Sequence, residues 1–90
     1  MKKLVGLFRD YIIYPGETLA EVLEDRKISQ LELAITTGMT EKYINAVIVG
    51  QKNISADFTK KLEAALQIES SFWINLQANY DRELQEIQEI

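Results

Sequence analysis

The chain has no cysteine and no histidine, and only one proline and four glycines in 90 residues. Without cysteine there can be no disulfide and no thiolate chemistry. Without histidine it lacks the commonest metal ligand and the commonest general base near neutral pH. Carboxylates are plentiful, but they are scattered over helix faces with no evident pair, so neither an enzyme nor a cofactor or metal site is expected. No apolar run approaches the ~20 residues that a membrane span requires. The opening MKKLVGLF faintly resembles the start of a signal peptide, but Arg9 and Asp10 interrupt it and no small-residue cleavage site follows. A cytoplasmic protein is expected. Positive charge is also scarce: ten Lys and Arg against fourteen Asp and Glu give a net charge of −4 and a pI near 4.8. That balance weighs against a generally basic nucleic-acid binder, although an acidic whole can carry a basic patch. It also suits a basic protein partner.

Apolar residues are not scarce. They make up 47% of the chain, enough for the core of one all-α domain. The most informative stretch is residues 29–50, SQLELAITTGMTEKYINAVIVG, which reads as two short helices joined by a tight turn at Gly38. That is the layout of a helix-turn-helix, a unit that holds its second helix out from the body, where it can enter a DNA major groove.

Along the chain, Leu4, Leu7, Phe8, Tyr11 and Ile12 would share one helical face, whereas residues 11–14 alone could be extended. This segment either packs on its own domain or docks on a partner by helix-in-groove or strand addition. Pro15-Gly16 starts a helix to about Lys27, with Leu19, Val22 and Leu23 as its buried stripe. Ser29 and Glu32 form a capping box, and Leu31, Ala34 and Ile35 are expected to face inward before Gly38 stops the helix. Thr40 caps a third helix to about Val49, which buries Ile44, Val47 and Ile48 and ends at Gly50. Ser55 caps a fourth helix to about Gln67, with Phe58, Leu62, Ala65 and Leu66 on its apolar side. Ser70 or Ser71 opens a fifth, along which Phe72, Leu76, Tyr80, Leu84 and Ile87 recur. Its last third, DRELQEIQEI, has the thin apolar line of a helix–helix seam.

On the second helix of the motif the exposed positions are Glu41, Lys42, Tyr43, Asn45, Ala46 and Val49. Lys42 can contact guanine or a phosphate, Asn45 can pair bidentately with adenine, and Glu41 can accept from cytosine. Tyr43 can reach a phosphate or a thymine methyl, and Ala46 offers only apolar contact. Gln30 opens the preceding helix, where phosphate contacts gather, and Lys52 is a second phosphate candidate. Lys60 and Lys61 either extend this patch or are solvated lysines on an outward face. Among the aromatics, Phe72 is expected in the core and Trp73 at an interface, with Asn75, Gln77 and Asn79 flanking the rings as in a partly wet dimer contact.

YPGETLAEVL, then ISQLELAITTGMTEKYINAVIVGQKNIS and SFWINLQANYD, resemble the HigA family of addiction-module antitoxins, helix-turn-helix proteins of the Xre/Cro–cI type. The likeness runs from about Tyr14 to Asp81 and is most specific in SFWINLQANYD. It implies a five-helix Cro/cI-like domain over 15–81, preceded by an extension at 1–14 and followed by the end of the last helix at 82–90. It also implies a homodimer that binds an inverted repeat in its own promoter. The same chain would neutralise a HigB-type toxin, a small basic ribonuclease that cuts messenger RNA on the ribosome, within a toxin–antitoxin heterotetramer. The family's DNA-contacting positions correspond to Gln30, Thr40, Glu41, Lys42, Tyr43, Asn45 and Ala46. The chain departs from the family at Val49, where a polar residue is usual, at Ala46 and Gln51, and at Tyr14, where histidine is common. Leu4, Leu7, Phe8, Tyr11 and Ile12 are the candidates for toxin contact, and Trp73, Leu76, Tyr80 and Leu84 for the dimer. Two other functions fit the residues: a toxin-binding inhibitor with weak DNA binding of its own, and a plain helix-turn-helix regulator without a toxin.

Overall fold

Gly16 is where the packing begins. A Cβ built on it would lie 1.8 Å from the carbonyl oxygen of Val47, so the first and third helices touch backbone to backbone at this point. The computed structural model describes residues 13–88. Among them the helices are α1 (Pro15–Arg26), α2 (Gln30–Thr37), α3 (Glu41–Ile48), α4 (Ala56–Leu66) and α5 (Ser70–Gln88), with no strand. α1 packs on α3 and α5, α2 on α3 and α4, and α4 on α5. This is the five-helix all-α architecture expected from the sequence. The toxin-contact candidates Leu4, Leu7, Phe8, Tyr11 and Ile12 lie outside the described residues.

The helices start and stop where local chemistry dictates. Pro15 occupies the first helical position of α1, where its missing N–H costs nothing. Ser29 and Glu32 form the full capping box: each side chain accepts from the other's backbone N–H at 3.0 Å. Thr40 Oγ1 accepts from the Tyr43 amide at 3.0 Å, and Ser55 Oγ from the Phe58 amide at 3.1 Å. Each such cap stabilises its helix by about 1 kcal/mol. Gly38 closes α2 in the left-handed region at φ 71°. α2 and α3 have eight residues each, too short to persist alone, so their stability comes from packing.

The core joins Leu19 and Leu23 of α1, Leu33 and Ala34 of α2, Ile44 and Val47 of α3, Ile54, then Phe58, Leu62 and Leu66 of α4, and Trp73 of α5. Two expectations about which side faces inward are corrected here. On α2 the buried residues are Leu33, Ala34 and Thr37, whereas Leu31 and Ile35 are 52% and 72% exposed. The two candidate rows share Ala34, which is buried as expected, and contacts with α3 and α4 select the row that adds Leu33 and Thr37. Thr37 can take a core position because its hydroxyl donates to the Leu33 carbonyl at 2.7 Å.

On α5 the roles of two neighbouring aromatics are exchanged. Trp73, a candidate for the dimer contact, is fully buried in its own chain, while Phe72, expected in the core, is 43% exposed. The two rings meet edge to face at 5.1 Å. The seam of α5 therefore runs through 73, 76, 77 and 80 rather than through every fourth residue from 72. Trp73 Nε1 has no hydrogen-bond partner among the described residues, at a cost of about 1–3 kcal/mol. Burying roughly 150–250 Å² of aromatic surface at ~25 cal/mol per Å² contributes about 4–6 kcal/mol, so the ring still belongs inside. Of the other dimer candidates, Leu76, Tyr80 and Leu84 are half-buried.

Candidate nucleic-acid interface

α3 is half in and half out. Ile44 and Val47 are sealed in the core, while Glu41, Lys42, Asn45 and Val49 are exposed on the opposite side. Three anchors fix this attitude. Gly16 allows α1 to press against Val47. The Tyr14 hydroxyl donates to the Ile48 carbonyl at 2.9 Å, tying the end of α3 to the start of α1. The Tyr14 ring lies against Gly50 and meets Tyr80 of α5 edge on, with centroids 6.5 Å apart. None of these ties was read from the sequence. The available signal was a glycine inside a first helical turn, a position where that residue costs stability unless a neighbour must come close.

After α3 the chain folds back on itself. The amides of Gln51 and Lys52 both donate to the Ala46 carbonyl, at 2.8 and 3.2 Å. This brings the loop beside the helix and completes an open recess of about 610 Å³ lined by Thr40, Lys42, Tyr43, Asn45, Ala46, Gln51 and Lys52. Six of the eight residues proposed for DNA contact from the sequence thus meet at one concavity. Gln30 joins them from α2, because Asn45 Nδ2 donates to Gln30 Oε1 at 3.3 Å. That bond leaves the Gln30 amide group free to donate outward. It also leaves Asn45 with one N–H and its carbonyl oxygen, the pair that an adenine edge requires. Glu41 is exposed in the first turn of α3.

Tyr43 has less freedom than its position in the sequence implies. Its ring packs edge on against Phe58 at 5.1 Å, and its hydroxyl donates to the Asn53 carbonyl at 3.3 Å. It therefore walls the recess and braces the loop that carries Lys52. Lys61 pairs with Asp57 at 3.2 Å and lies on the Met39 sulfur, and neither it nor Lys60 lines the recess. Gln77 is also engaged within the chain: its Oε1 accepts from the Ile54 amide at 2.9 Å, pinning the loop before α4 to α5.

Among the described residues no group of acidic, histidine or cysteine side chains could hold a metal ion, and no helix is long and apolar enough to cross a membrane. The side chains that line the recess carry amide, hydroxyl, ammonium and methyl groups.

The helix-turn-helix family model matches residues 19–73. Three solved structures share the fold and about a third of the sequence. An addiction module antidote protein of the HigA family from Coxiella burnetii is 34% identical, with a TM-score of 0.76 over 81% of this chain and 80% of its own. The Pseudomonas aeruginosa antitoxin HigA, solved with the higBA promoter, is 34% identical, with a TM-score of 0.74 over 78% of this chain and 77% of its own. The antitoxin GraA is 31% identical, with a TM-score of 0.81 over 86% of this chain and 84% of its own. No curated protein matches the chain. The matched core, the capped turn between α2 and α3 and these relatives agree: the chain belongs to the helix-turn-helix proteins, and among them to the HigA-type DNA-binding antitoxins.

Proposed function

We propose that this chain represses its own operon as a DNA-binding dimer and neutralises a HigB-type mRNA-cleaving toxin by direct binding. The observation that carries the repressor half is the recess on the outer face of α3, where Lys42, Asn45 and Lys52 converge with Gln30 hydrogen-bonded behind them. A P. aeruginosa relative with this fold was solved on its own promoter. In this reading Lys42 and Lys52 meet phosphates or guanine, Asn45 reads adenine, and the Gln30 amide donates to a phosphate while holding Asn45 in place. Two copies related by a two-fold axis would set their α3 helices one DNA turn apart, roughly 34 Å. The acidic charge of the chain supports the toxin half, since an acidic body attracts a small basic ribonuclease.

The test separates the two halves. Lys42→Ala and Asn45→Ala are expected each to weaken promoter binding about tenfold, the cost of one specific contact. Both are expected to rescue growth against the toxin of the adjacent gene as well as the wild type does. Promoter binding by both variants that equals wild type in a salt-controlled shift assay would remove α3 from the interface. Failure of the wild type to co-purify with the adjacent gene product would remove the toxin half.

A further inference from the structure

The outer face of α3 changes character along its length. Its first turn presents Glu41 and Lys42, and its middle Asn45. From there to the end of the helix the outward side chains carry no hydrogen-bonding group. Ala46 lines the floor of the recess, and Val49, one turn on, is 49% exposed. Gly50, which follows, has no side chain. Val49 is four residues from Asn45 and three from Ala46, so all three share one helical surface. Lys42, one turn before Ala46 on the same face, and Lys52, in the loop after α3, line the same recess, and neither is in an ion pair among the described residues. The ammonium groups can meet phosphates while the methyl groups of Ala46 and Val49 share the helical face that Lys42 opens.

Resting on the reading of α3 as the helix that enters the major groove, we infer that Ala46 and Val49 recognise thymine through its 5-methyl group. Each position of a major groove presents one of four base-pair edges, and among the bases only thymine contributes an apolar group there. A polar edge set against Val49 would lose its water and gain no partner, which costs more than a missing attraction. The strip therefore selects for thymine and against guanine, cytosine and adenine at the same position. With Asn45 beside it suited to adenine, the half-site centres on adjacent A·T pairs.

The test uses the full chain. Duplexes are selected from a random pool at fixed salt, and each thymine of the selected half-site is replaced in turn by deoxyuridine, which removes the methyl and nothing else. The wild type is expected to lose about fourfold in affinity at one or two of these positions, the worth of one buried methyl. Val49→Ala and Ala46→Ser, both at positions outside the sealed core, are expected to bind thymine and uracil duplexes alike at the position each one reads. Lys42→Ala is expected to bind more weakly throughout and to keep the methyl preference. Specific binding in which every thymine tolerates the change overturns the inference and leaves the repressor reading standing. The same holds if both α3 variants keep the full methyl preference. If no duplex is preferred over random sequence, the repressor reading falls and the inference falls with it.

Discussion

Ser29 and Glu32 show how much one pair of residues decides. Each satisfies a backbone donor of the other at the first turn of α2, and Gln30, which lies between them, is thereby placed to hold Asn45. Hydrogen bonds from Ser29, its backbone N–H first and its side chain second, hold the Glu32 carboxyl below the usual carboxylate range. A carboxylate whose pKa is lowered by folding stabilises the protein above its unfolded pKa. That contribution is lost as the pH falls through the lower, folded value. Glu32→Gln keeps the acceptor for the Ser29 amide and removes the charge. The thermal midpoint of the wild type is therefore expected to exceed that of the variant at neutral pH, and the gap to close as the pH drops below the ordinary carboxylate range. A gap that stays constant across that titration would show that the carboxylate acts here only as a neutral acceptor. Pairs of this kind were legible in the sequence because a cap depends on residues three apart and on nothing distant. The choice between Phe72 and Trp73 was not legible. Adjacent helical positions point about 100° apart, and which of them lies inside depends on the helices that α5 packs against.

At the scale of elements, the positions of the helices follow from apolar spacing, caps and stop signals, but their faces and crossings do not. Each helix was readable to within a residue or two of its end. The burial of α2 was read correctly at Ala34 and misread at Leu31 and Ile35, because 31, 34 and 35 form as good a stripe as 33, 34 and 37. Only the position of α2 against α3 and α4 breaks the tie. The crossing of α1 and α3 is the clearest case of information held between elements. A methyl group at Gly16 meets the backbone of Val47, which cannot rotate away as a side chain would. Gly16→Ala is expected to destabilise the domain by at least about 3 kcal/mol, the upper end of ordinary overpacking. In thermal unfolding followed by circular dichroism this lowers the midpoint by more than about 12 °C, at ~4 °C or more per kcal/mol for a chain of this size. Promoter binding is expected to fall with it, since α3 must move outward to admit the methyl. An unchanged midpoint would mean that α1 slides without cost and does not set the attitude of α3.

The whole molecule combines an acidic chain with a proposed DNA-facing recess that two lysines line. Lys42 and Lys52 are the cations at the recess, against a net charge of −4 overall. Phosphate neutralisation supplies most of the non-specific affinity for a duplex, and it grows with the number of cations in contact. In the proposed repressor one protomer is therefore poorly equipped to hold DNA, and the proposed two-fold pairing, which doubles the contacts, carries much of the affinity. For the proposed dimer, the shape points to the far end of α5 as the pairing surface. The described residues measure 45 × 21 × 20 Å, and α5, at 19 residues, is about 28 Å long. Its first half is locked to the domain through Trp73, Gln77 and Tyr80. Beyond Asp81 no side chain described is fully buried: Leu84 is half-buried, and Arg82 and Glu86 form an exposed ion pair. A chain ending at Asp81 is accordingly expected to unfold cooperatively near the wild-type midpoint and to sediment as a monomer, while the full chain sediments as a dimer. Its promoter affinity should fall, and the slope of log affinity against log salt should become about half as steep, because half the cations remain in contact. A truncated chain that still sediments as a dimer with an unchanged salt slope would move the pairing surface off the end of α5 and onto the exposed Phe72 and Ile74 or the chain before Pro15.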